Sequence, residues 1–229
     1  MYFGGIQKNS FIDFPGKISC VLFVSGCNFT CPYCHNPDLA KGKSPIRLSE
    51  DQVYHFLDQR RGFLEGVVLS GGEPTLYREI FPFLRRIKAM GYPVKLDTNG
   101  SRPRIIEQLL DQQLIDYVAM DVKTDPADYG PPLAPADSGP KVIESIKLLL
   151  TGRVPYEFRT TCVAPFISPT IMTRIGYWLK GARHYFLQPF RPDRVLKPDF
   201  FSHKTDGACD PEALRNIVAA LVPNCRVRC

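Results

Sequence analysis

The sequence predicts an α/β protein built on a parallel sheet. Strand-length apolar segments recur six times along the chain, and each is followed by a segment with helical periodicity. No shift in composition interrupts the series. Strands separated by helices are typical of parallel βαβ units. The series therefore predicts one curved sheet with outer helices, either an incomplete barrel or a doubly wound sheet.

The strands are predicted from short apolar runs rich in β-branched and aromatic residues, such as the sequence GVVLS at 66–70. Turn residues or polar residues follow most of these runs, and this marks where each strand ends. The predicted strands cover 17–25, 66–70, 93–97, 115–122, 156–163 and 184–190.

The helices are predicted from apolar residues that repeat every three or four positions and from residues that favour helix ends. Ser49 and Gln52 form a capping-box pattern, and Ser168 followed by Pro169 is typical of a helix start. The predicted helices cover 49–61, 76–90, 103–113, 141–151, 168–181 and 210–221. The residues expected to face inward in the first three are Val53, Phe56, Leu57, Ile80, Phe83, Leu84, Ile87, Ile106, Leu109 and Leu110.

Length and composition are those of a globular protein, with 229 residues, 44% hydrophobic residues and a formal net charge of +6. We expect a single domain over 1–229, with a core over 17–190 and a C-terminal loop and helix over 191–229. No apolar run approaches the roughly 20 residues that cross a bilayer, and the N-terminus lacks a secretory pattern, so we expect a cytoplasmic protein that does not enter a membrane. The basic residues are scattered, which argues against nucleic-acid binding.

The segment 125–140 holds five prolines and is expected to be a surface loop. Two interpretations are open for it. The loop is either a linker without chemical importance or a lid over a site.

Three of the eight cysteines, Cys27, Cys31 and Cys34, lie within eight residues in the spacing C-x3-C-x2-C. Chance would produce this spacing in about one such chain in a hundred. Thiolates are ligands of zinc and of iron–sulfur clusters. His35 directly follows Cys34 and could join it on one zinc ion only with strain. A 4Fe–4S cluster bound by three cysteines would keep one iron open for a substrate.

Polar residues follow the predicted strands, at the edge where parallel α/β folds place their sites. Gly71 and Gly72 would let the backbone approach a ligand closely, and Glu73 could accept hydrogen bonds from a ligand ammonium. Thr98 and Asn99 could hydrogen-bond a sugar hydroxyl. Turns and caps are the alternative explanation for each of these residues.

Charged residues follow the same pattern. Asp97 and Asp121 end neighbouring strands and could share a cation, and Lys123 could bind a carboxylate. The other polar residues placed at this edge are Ser70, Glu157, Arg159, Thr160, Thr161 and Gln188. One site at this edge would account for all of them.

Several segments resemble one known family. The cysteine spacing resembles the signature of the radical S-adenosylmethionine (SAM) superfamily, and the sequence GGEP at 71–74 is similar to its methionine-amine motif. The sequences CHNP at 34–37, DTNG at 97–100 and MDVK at 120–123 are similar to the activating enzymes of glycyl-radical enzymes. The segments that resemble one branch, the anaerobic ribonucleoside-triphosphate reductase activating proteins, are 4–8, 12–17, 157–161 and 188–192.

The resemblance implies a partial (β/α)6 TIM-like barrel, the radical SAM core, that binds one 4Fe–4S cluster and SAM. Cys27, Cys31 and Cys34 would hold three irons, and the methionine part of SAM would chelate the fourth. Longer activating enzymes carry a cysteine-containing insert after this loop. Because no cysteine lies between residues 36 and 66, a single cluster is expected.

The resemblance also implies roles for the strand-end residues. Gly71, Gly72 and Glu73 would bind the methionine amine of SAM. Thr98 and Asn99 would contact its ribose or its carboxylate.

Further contacts to SAM are implied at four positions. Tyr33 would lie beside the adenine, and Gln188 is a second candidate for an adenine contact. Lys123 and Arg159 would bind a carboxylate or the substrate loop. The two positions that match a monovalent-cation site of activating enzymes are Asp97 and Asp121.

The reaction that the resemblance implies is reductive cleavage of SAM to methionine and a 5′-deoxyadenosyl radical, which takes a hydrogen atom from a glycine of a partner protein. Two partners are expected. The first is a glycyl-radical enzyme, namely the anaerobic ribonucleotide reductase, and the second is a one-electron donor such as flavodoxin or ferredoxin. The alternatives are an activating enzyme of the pyruvate formate-lyase type, a small-molecule enzyme such as a carboxydeazaguanine synthase, and a zinc-binding interaction module without turnover.

Three cysteines outside the motif are interpreted as incidental thiols. Cys209, Cys225 and Cys229 lie close together near the C-terminus, where an auxiliary metal or redox role is the alternative. His184 and His203 are expected to be structural or surface residues.

Overall fold

The structure is a computed structural model and describes residues 1–201 and 209–228. Two residues discussed above, His203 and Cys229, lie outside the described residues. The strands are β1 (Tyr2–Ser10), β2 (Ser19–Val24), β3 (Leu48–Ser49), β4 (Gly66–Gly71), β5 (Val94–Thr98), β6 (Tyr117–Asp121), β7 (Tyr156–Cys162), β8 (Tyr185–Pro189) and β9 (Cys225–Val227). The helices are α1 (Pro37–Ala40), α2 (Glu50–Asp58), α3 (Ile80–Ala89), α4 (Pro103–Asp111), α5 (Ser138–Leu150), α6 (Pro169–Trp178) and α7 (Pro211–Val218).

All six predicted strands are present as β2 and β4–β8, with ends within two residues of the predicted bounds. The predicted helices are present as α2–α7. Three strands were not predicted, namely β1, β3 and β9. The α/β class is therefore confirmed, with additional strands before and after the predicted series.

The chain forms two compact units. Unit 1 comprises Met1–Asn28, Asp38–Thr98 and Arg104–Val118. Its strands have the order β3-β1-β2-β4-β5 followed by the start of β6. β1 is antiparallel to β2 and β3, whereas β2, β4 and β5 are parallel.

Unit 2 comprises Phe29–Pro37, Asn99–Pro103 and Ala119–Cys229, of which 202–208 and 229 are not described. Its strands have the order β7-β8-β9 after the end of β6, and these three strands are parallel. Buried aromatic residues such as Tyr156, Phe158 and Tyr185 fill its core.

Three local predictions need correction. The helix α3 begins at Ile80, four positions after the predicted start, because Pro74–Leu76 form a separate 3-10 turn. In α2 the buried residue is Tyr54 rather than Phe56, because its ring stacks at 5.5 Å on Phe83 while its hydroxyl donates a hydrogen bond to Glu50. The helix α5 begins at Ser138, three positions before the predicted start. Pro140 lies in its first turn, where the missing N–H of proline costs no hydrogen bond. The capping box of Ser49 and Gln52 is confirmed.

No helix in the described part of the chain is both long enough and apolar enough to cross a bilayer.

Candidate active site

In unit 1 the strand β2 leads directly into the loop that carries Cys27. Gly26 has a φ of +102°, a conformation that glycine adopts without strain. Its N–H donates to the Leu39 carbonyl at 2.6 Å, and the N–H of Cys27 donates to the Ala40 carbonyl at 3.1 Å. The end of α1 therefore fixes the backbone that presents the Cys27 thiol, which is partly exposed.

Gly71 and Gly72 lie against this same backbone. The Gly72 N–H donates to the Val24 carbonyl at 2.9 Å, and the next N–H, that of Glu73, donates to the Gly26 carbonyl at 2.9 Å. A Cβ atom on Gly72 would lie 1.9 Å from the Gly26 oxygen. The close approach expected of these glycines is therefore found, but its partner is the protein segment before the first cysteine of the motif.

Glu73 is fully buried in unit 1. Its Oε1 accepts hydrogen bonds from the Thr75 N–H at 3.1 Å, the Thr75 hydroxyl at 2.6 Å and the Thr98 hydroxyl at 2.9 Å. The structure thus brings Glu73 and Thr98 together, as one site requires. The carboxylate is held in a single orientation by groups 2 and 25 residues away along the chain.

Asp97 ends β5 and has a lysine partner. The Lys95 ammonium lies 2.5 Å from Oδ1 of Asp97, and the Ser70 hydroxyl donates to Oδ2 at 3.0 Å. The side chain of Lys95 is only 2% exposed. Sequence reasoning did not select Lys95, although a lysine inside an apolar strand two positions before an aspartate was a visible signal.

In unit 2 the proline-rich loop packs on the cysteine segment. The Thr30 N–H donates to the Leu133 carbonyl at 3.0 Å, and the Thr30 hydroxyl donates to the Pro132 carbonyl at 2.8 Å. Cys31 is buried, with its Sγ 3.9 Å from the Leu133 oxygen, whereas Cys34 is partly exposed. The loop therefore supports the motif directly and is more than a linker.

Tyr33, between the last two cysteines, is buried against Phe166 with the ring centroids 5.4 Å apart. Its hydroxyl has no hydrogen-bond partner among the described residues. Burial, with a smaller contribution from nearby Cys31, raises the pKa of Tyr33 well above its ordinary value. The phenol is therefore a protonated donor for which the described part of the chain supplies no acceptor, an arrangement that is costly unless a ligand supplies one.

Asp121, Lys123 and Arg159 form an ionic cluster in unit 2. The Arg159 Nε lies 2.8 Å from Oδ1 of Asp121, and the Lys123 Nζ lies 3.2 Å from Oδ2. Burial alone would raise the pKa of Asp121, but the two cations outweigh it and lower the pKa to about 2. Burial would lower the pKa of Lys123, and Asp121 in turn raises it well above its ordinary value. All three side chains are therefore charged at neutral pH.

We expect Asp121→Asn to lower the free energy of unfolding of the apoprotein by about 1–2 kcal/mol at pH 7, because two cations lose their carboxylate. The pKa in the folded state lies below that of an unfolded Asp, about 3.9. The contribution of the carboxylate is therefore complete above about pH 5 and is lost as the pH falls towards 2. Urea unfolding between pH 7 and pH 3 should show the difference between wild type and variant shrinking at low pH.

The matched control is Asp58→Asn, because Asp58 lies in an exposed pair with Arg61 at 2.7 Å. Such surface pairs contribute little to stability. The prediction is contradicted if the Asp121→Asn difference is independent of pH, or if the control shows the same pH dependence.

The remaining predicted residues are Asn99 and Gln188, both in unit 2. Asn99 is buried, and its Oδ1 accepts from the Ser101 N–H at 2.9 Å, so this side chain also shapes a turn. Gln188 lines a cavity of about 440 Å³ together with His35 and Thr161. The structure thus places Gln188, near the end of β8, in the same cavity as His35, which directly follows the cysteine motif.

The cysteines outside the motif have the properties of inert thiols. Burial raises the pKa of Cys20, Cys162 and Cys225 to about 12 and also raises that of Cys209. Metals bind the thiolate, which such thiols rarely form near pH 7. His184 is exposed, as expected for a surface residue.

Among the described residues no three His, Cys, Asp or Glu side chains surround a common point as ligands of a single metal ion would. In an iron–sulfur cubane, by contrast, each cysteine binds its own iron. The seven described cysteines are reduced thiols and not members of disulfides.

Comparison with known proteins agrees with these features. The Radical SAM superfamily model matches residues 21–164. A protein of Methanocaldococcus jannaschii with the provisional name glycyl-radical enzyme activating enzyme is 35% identical over 201 residues, which cover 86% of this chain and 82% of that protein. A pyruvate formate-lyase-activating enzyme of Clostridium pasteurianum is 32% identical over 123 residues, about half of each chain (52% and 50%).

Among solved structures, a radical SAM methyltransferase from Sphaerobacter thermophilus superposes with a TM-score of 0.66 and 16% identity, covering 96% of this chain and 68% of that one. At this identity the likeness concerns the fold alone. It confirms the fold class predicted from the sequence, the radical SAM core. The family match and the long alignment to the M. jannaschii protein go further: this chain is an enzyme of the radical SAM superfamily and belongs to its family of glycyl-radical-enzyme activating enzymes.

Proposed function

We propose that this chain activates an anaerobic ribonucleoside-triphosphate reductase by generating a glycyl radical on it. The observation that carries the proposal is the cysteine motif, Cys27-x3-Cys31-x2-Cys34, within a chain that aligns over 86% of its length with a protein named as an activating enzyme. The family implies a 4Fe–4S cluster and SAM as cofactors. The proposed iron ligands are Cys27, Cys31 and Cys34.

The residues present fit these cofactors. The three cysteines of the motif are reduced, and thiolates are the ligands that iron–sulfur clusters require. Tyr33 offers a buried hydroxyl that no residue of the described ranges 1–201 and 209–228 satisfies and that a nucleoside could satisfy. When bound, the cluster supplies the electron that cleaves SAM reductively and so starts hydrogen abstraction from the partner glycine.

The chain's own residues would bind and orient SAM. Glu73 is pre-oriented by Thr75 and Thr98, and its fixed carboxylate suits the methionine amine. Gly71 and Gly72 keep this turn against the backbone before Cys27. We propose that this arrangement couples the position of the amine to the position of the first iron ligand.

In unit 2 the cluster of Asp121, Lys123 and Arg159 carries a net charge of +1 and suits a carboxylate, either that of SAM or one of the substrate loop. Asn99 is proposed for the ribose or carboxylate and Gln188 for the adenine. Each assignment follows the family resemblance and is supported by the burial or the charge of the side chain.

The M. jannaschii protein is covered along 82% of its length, whereas the chain spans about half of the pyruvate formate-lyase-activating enzyme. The longer alignment makes the M. jannaschii protein the better match, and the branch resemblance at 4–8, 12–17, 157–161 and 188–192 supports the anaerobic reductase as the partner. We propose an anaerobic, cytoplasmic setting and a flavodoxin or ferredoxin as electron donor, because an iron open to SAM is also open to oxygen.

Anaerobic reconstitution with iron and sulfide, followed by dithionite and SAM, tests the proposal. We expect about four irons and four sulfides per chain, formation of 5′-deoxyadenosine, and an EPR-detected glycyl radical when the anaerobic reductase is added. Pyruvate formate-lyase, added in parallel, should remain without a radical.

Each result has a defined meaning. About one zinc per chain without sulfide would refute the enzyme in favour of a zinc-binding module. A radical on pyruvate formate-lyase alone would refute the proposed partner and leave the activating enzyme intact. Conversion of a heterocyclic substrate without a radical on either protein would favour a small-molecule enzyme.

A further inference from the structure

We propose that Lys95 is a built-in counter-ion of Asp97 and that it takes the place of a monovalent cation at this carboxylate. Sequence reasoning left open whether Asp97 and Asp121 bind such a cation. The inference rests on the proposed function only in placing Asp97 at the SAM site. The ion pair itself is a feature of unit 1.

The position of Lys95 in the sheet explains why its charge points to Asp97. Lys95 is in register with Val68 on β4, which is in register with Val21 on β2. Val21, Val68, Phe14 and Tyr117 form one buried apolar cluster. The aliphatic part of Lys95 therefore extends this apolar row, and its ammonium lies beside the carboxylate two residues farther along β5.

The contacts of the ammonium are those of a permanent ion pair. Its Nζ lies 2.5 Å from Oδ1 of Asp97 and 6.0 Å from the centroid of the Tyr117 ring, within the range of a cation–π contact. The side chains are 2% and 12% exposed, so water screens the pair poorly. A buried ammonium without a partner is strongly unfavourable, and Asp97 supplies the partner.

Charge balance leaves no place for another cation at this carboxylate. Lys95 and Asp97 sum to zero, and the Ser70 hydroxyl donates to the second oxygen of Asp97. A sodium or potassium ion bound there would lie beside the ammonium in a buried setting and would be repelled by it. Within unit 2, Asp121 has two cationic partners of its own, Lys123 and Arg159. Neither carboxylate therefore carries unbalanced negative charge.

The test compares NaCl, KCl and choline chloride at equal ionic strength on the reconstituted protein. We expect the wild-type melting temperature to be the same in all three salts and the ²³Na relaxation rate to show no saturable binding. Lys95→Met removes the ammonium and keeps the length of the side chain. In this variant Na⁺ or K⁺ should raise the melting temperature by about 3–6 °C relative to choline, and ²³Na relaxation should show a saturable site.

Two further variants test whether the charges of Lys95 and Asp97 cause the salt response. Lys95→Arg keeps the charge and should remain indifferent to the salt. Lys95→Met combined with Asp97→Asn removes both charges and should lose the cation response of the single variant.

The measurement on the wild-type protein tests the proposal even if Lys95→Met does not fold. Saturable Na⁺ or K⁺ binding by wild type that disappears in Asp97→Asn would overturn the proposal, as would a Lys95→Met variant that folds and ignores the salt. These readouts do not need turnover. A chain that forms no 5′-deoxyadenosine yet shows this salt response would refute the proposed function and retain the role of Lys95.

Discussion

Replacing Cys31 by alanine is expected to lower the formation of 5′-deoxyadenosine from SAM by at least about a thousandfold, because groups that act as one unit lose most of their effect when one member is removed. Cys31 is the buried member of the motif, and the backbone around it is held by Leu133. Loss of its thiolate would leave one iron without a protein ligand. Iron and sulfide content and the visible absorption of the reconstituted protein should fall together with activity.

The matched control is Cys209→Ala, which removes a half-buried thiol outside the motif. Its thiol donates to the Ile167 carbonyl at 3.4 Å, and burial raises its pKa, so it is a poor ligand. We expect its iron content and its activity to stay within about a factor of two of wild type. A Cys31→Ala protein that retains a full cluster would contradict the assignment, and so would equal losses in the two variants.

The parallel strands were predictable because a strand buried on both faces is a continuous apolar run, and such a run is recognised without knowledge of its neighbours. The strand β1 lacks this signal. Its sequence places Gly4 and Gly5 directly after Phe3 and continues through Gln7, Lys8 and Asn9, which are exposed. Its pairing with β2 is a tertiary feature that local periodicity does not contain. The strands β3 and β9, with two and three residues, are too short for any periodicity.

The chemistry of the candidate site was predictable where it depends on spacing. The motif places Cys27, Cys31 and Cys34 in one loop because they lie within eight residues, so this feature does not depend on the rest of the fold. The ion pair of Asp121 and Arg159 was not predictable in this way. Asp121 and Arg159 are 38 residues apart, and only the register of the strands selects their pairing. Lys95 was missed for a different reason: in a strand pattern a lysine is taken as an exposed residue, and its burial depends on the aspartate that it neutralises.

The structure gives the Gly71-Gly72 pair a second role, because these residues hold the proposed amine-binding turn against the segment that leads into the cysteine loop. We expect Gly72→Ala to affect both stability and cofactor binding. Its Cβ would lie 1.9 Å from the Gly26 oxygen and 2.5 Å from the Gly26 carbonyl carbon, far inside normal contact. The obstacle is backbone, so a change of side-chain rotamer cannot relieve it. Either the turn after β4 or the segment before Cys27 must move.

The expected cost to the free energy of unfolding is about 1–3 kcal/mol or more, the usual range for overpacking. Because the Glu73 N–H donates to the Gly26 carbonyl, the displacement should also reach Glu73 and Cys27. We therefore expect reduced iron incorporation and at least a tenfold loss of 5′-deoxyadenosine formation per folded chain, since about 1 Å of misplacement can cost about a hundredfold. Urea unfolding, iron analysis and initial rates measure the three effects separately.

The matched control is Gly130→Ala, where an added Cβ would meet no atom of the described residues within 4 Å and the backbone is not in the left-handed region. It should change stability by no more than about 0.5 kcal/mol and leave iron incorporation unchanged. If Gly72→Ala were destabilised but formed 5′-deoxyadenosine at the wild-type rate per folded chain, the glycines would serve folding alone. Equal loss in both variants would show that alanine at any glycine of this chain is disruptive. Only a selective loss in Gly72→Ala supports a turn that positions the amine-binding carboxylate and the first iron ligand together.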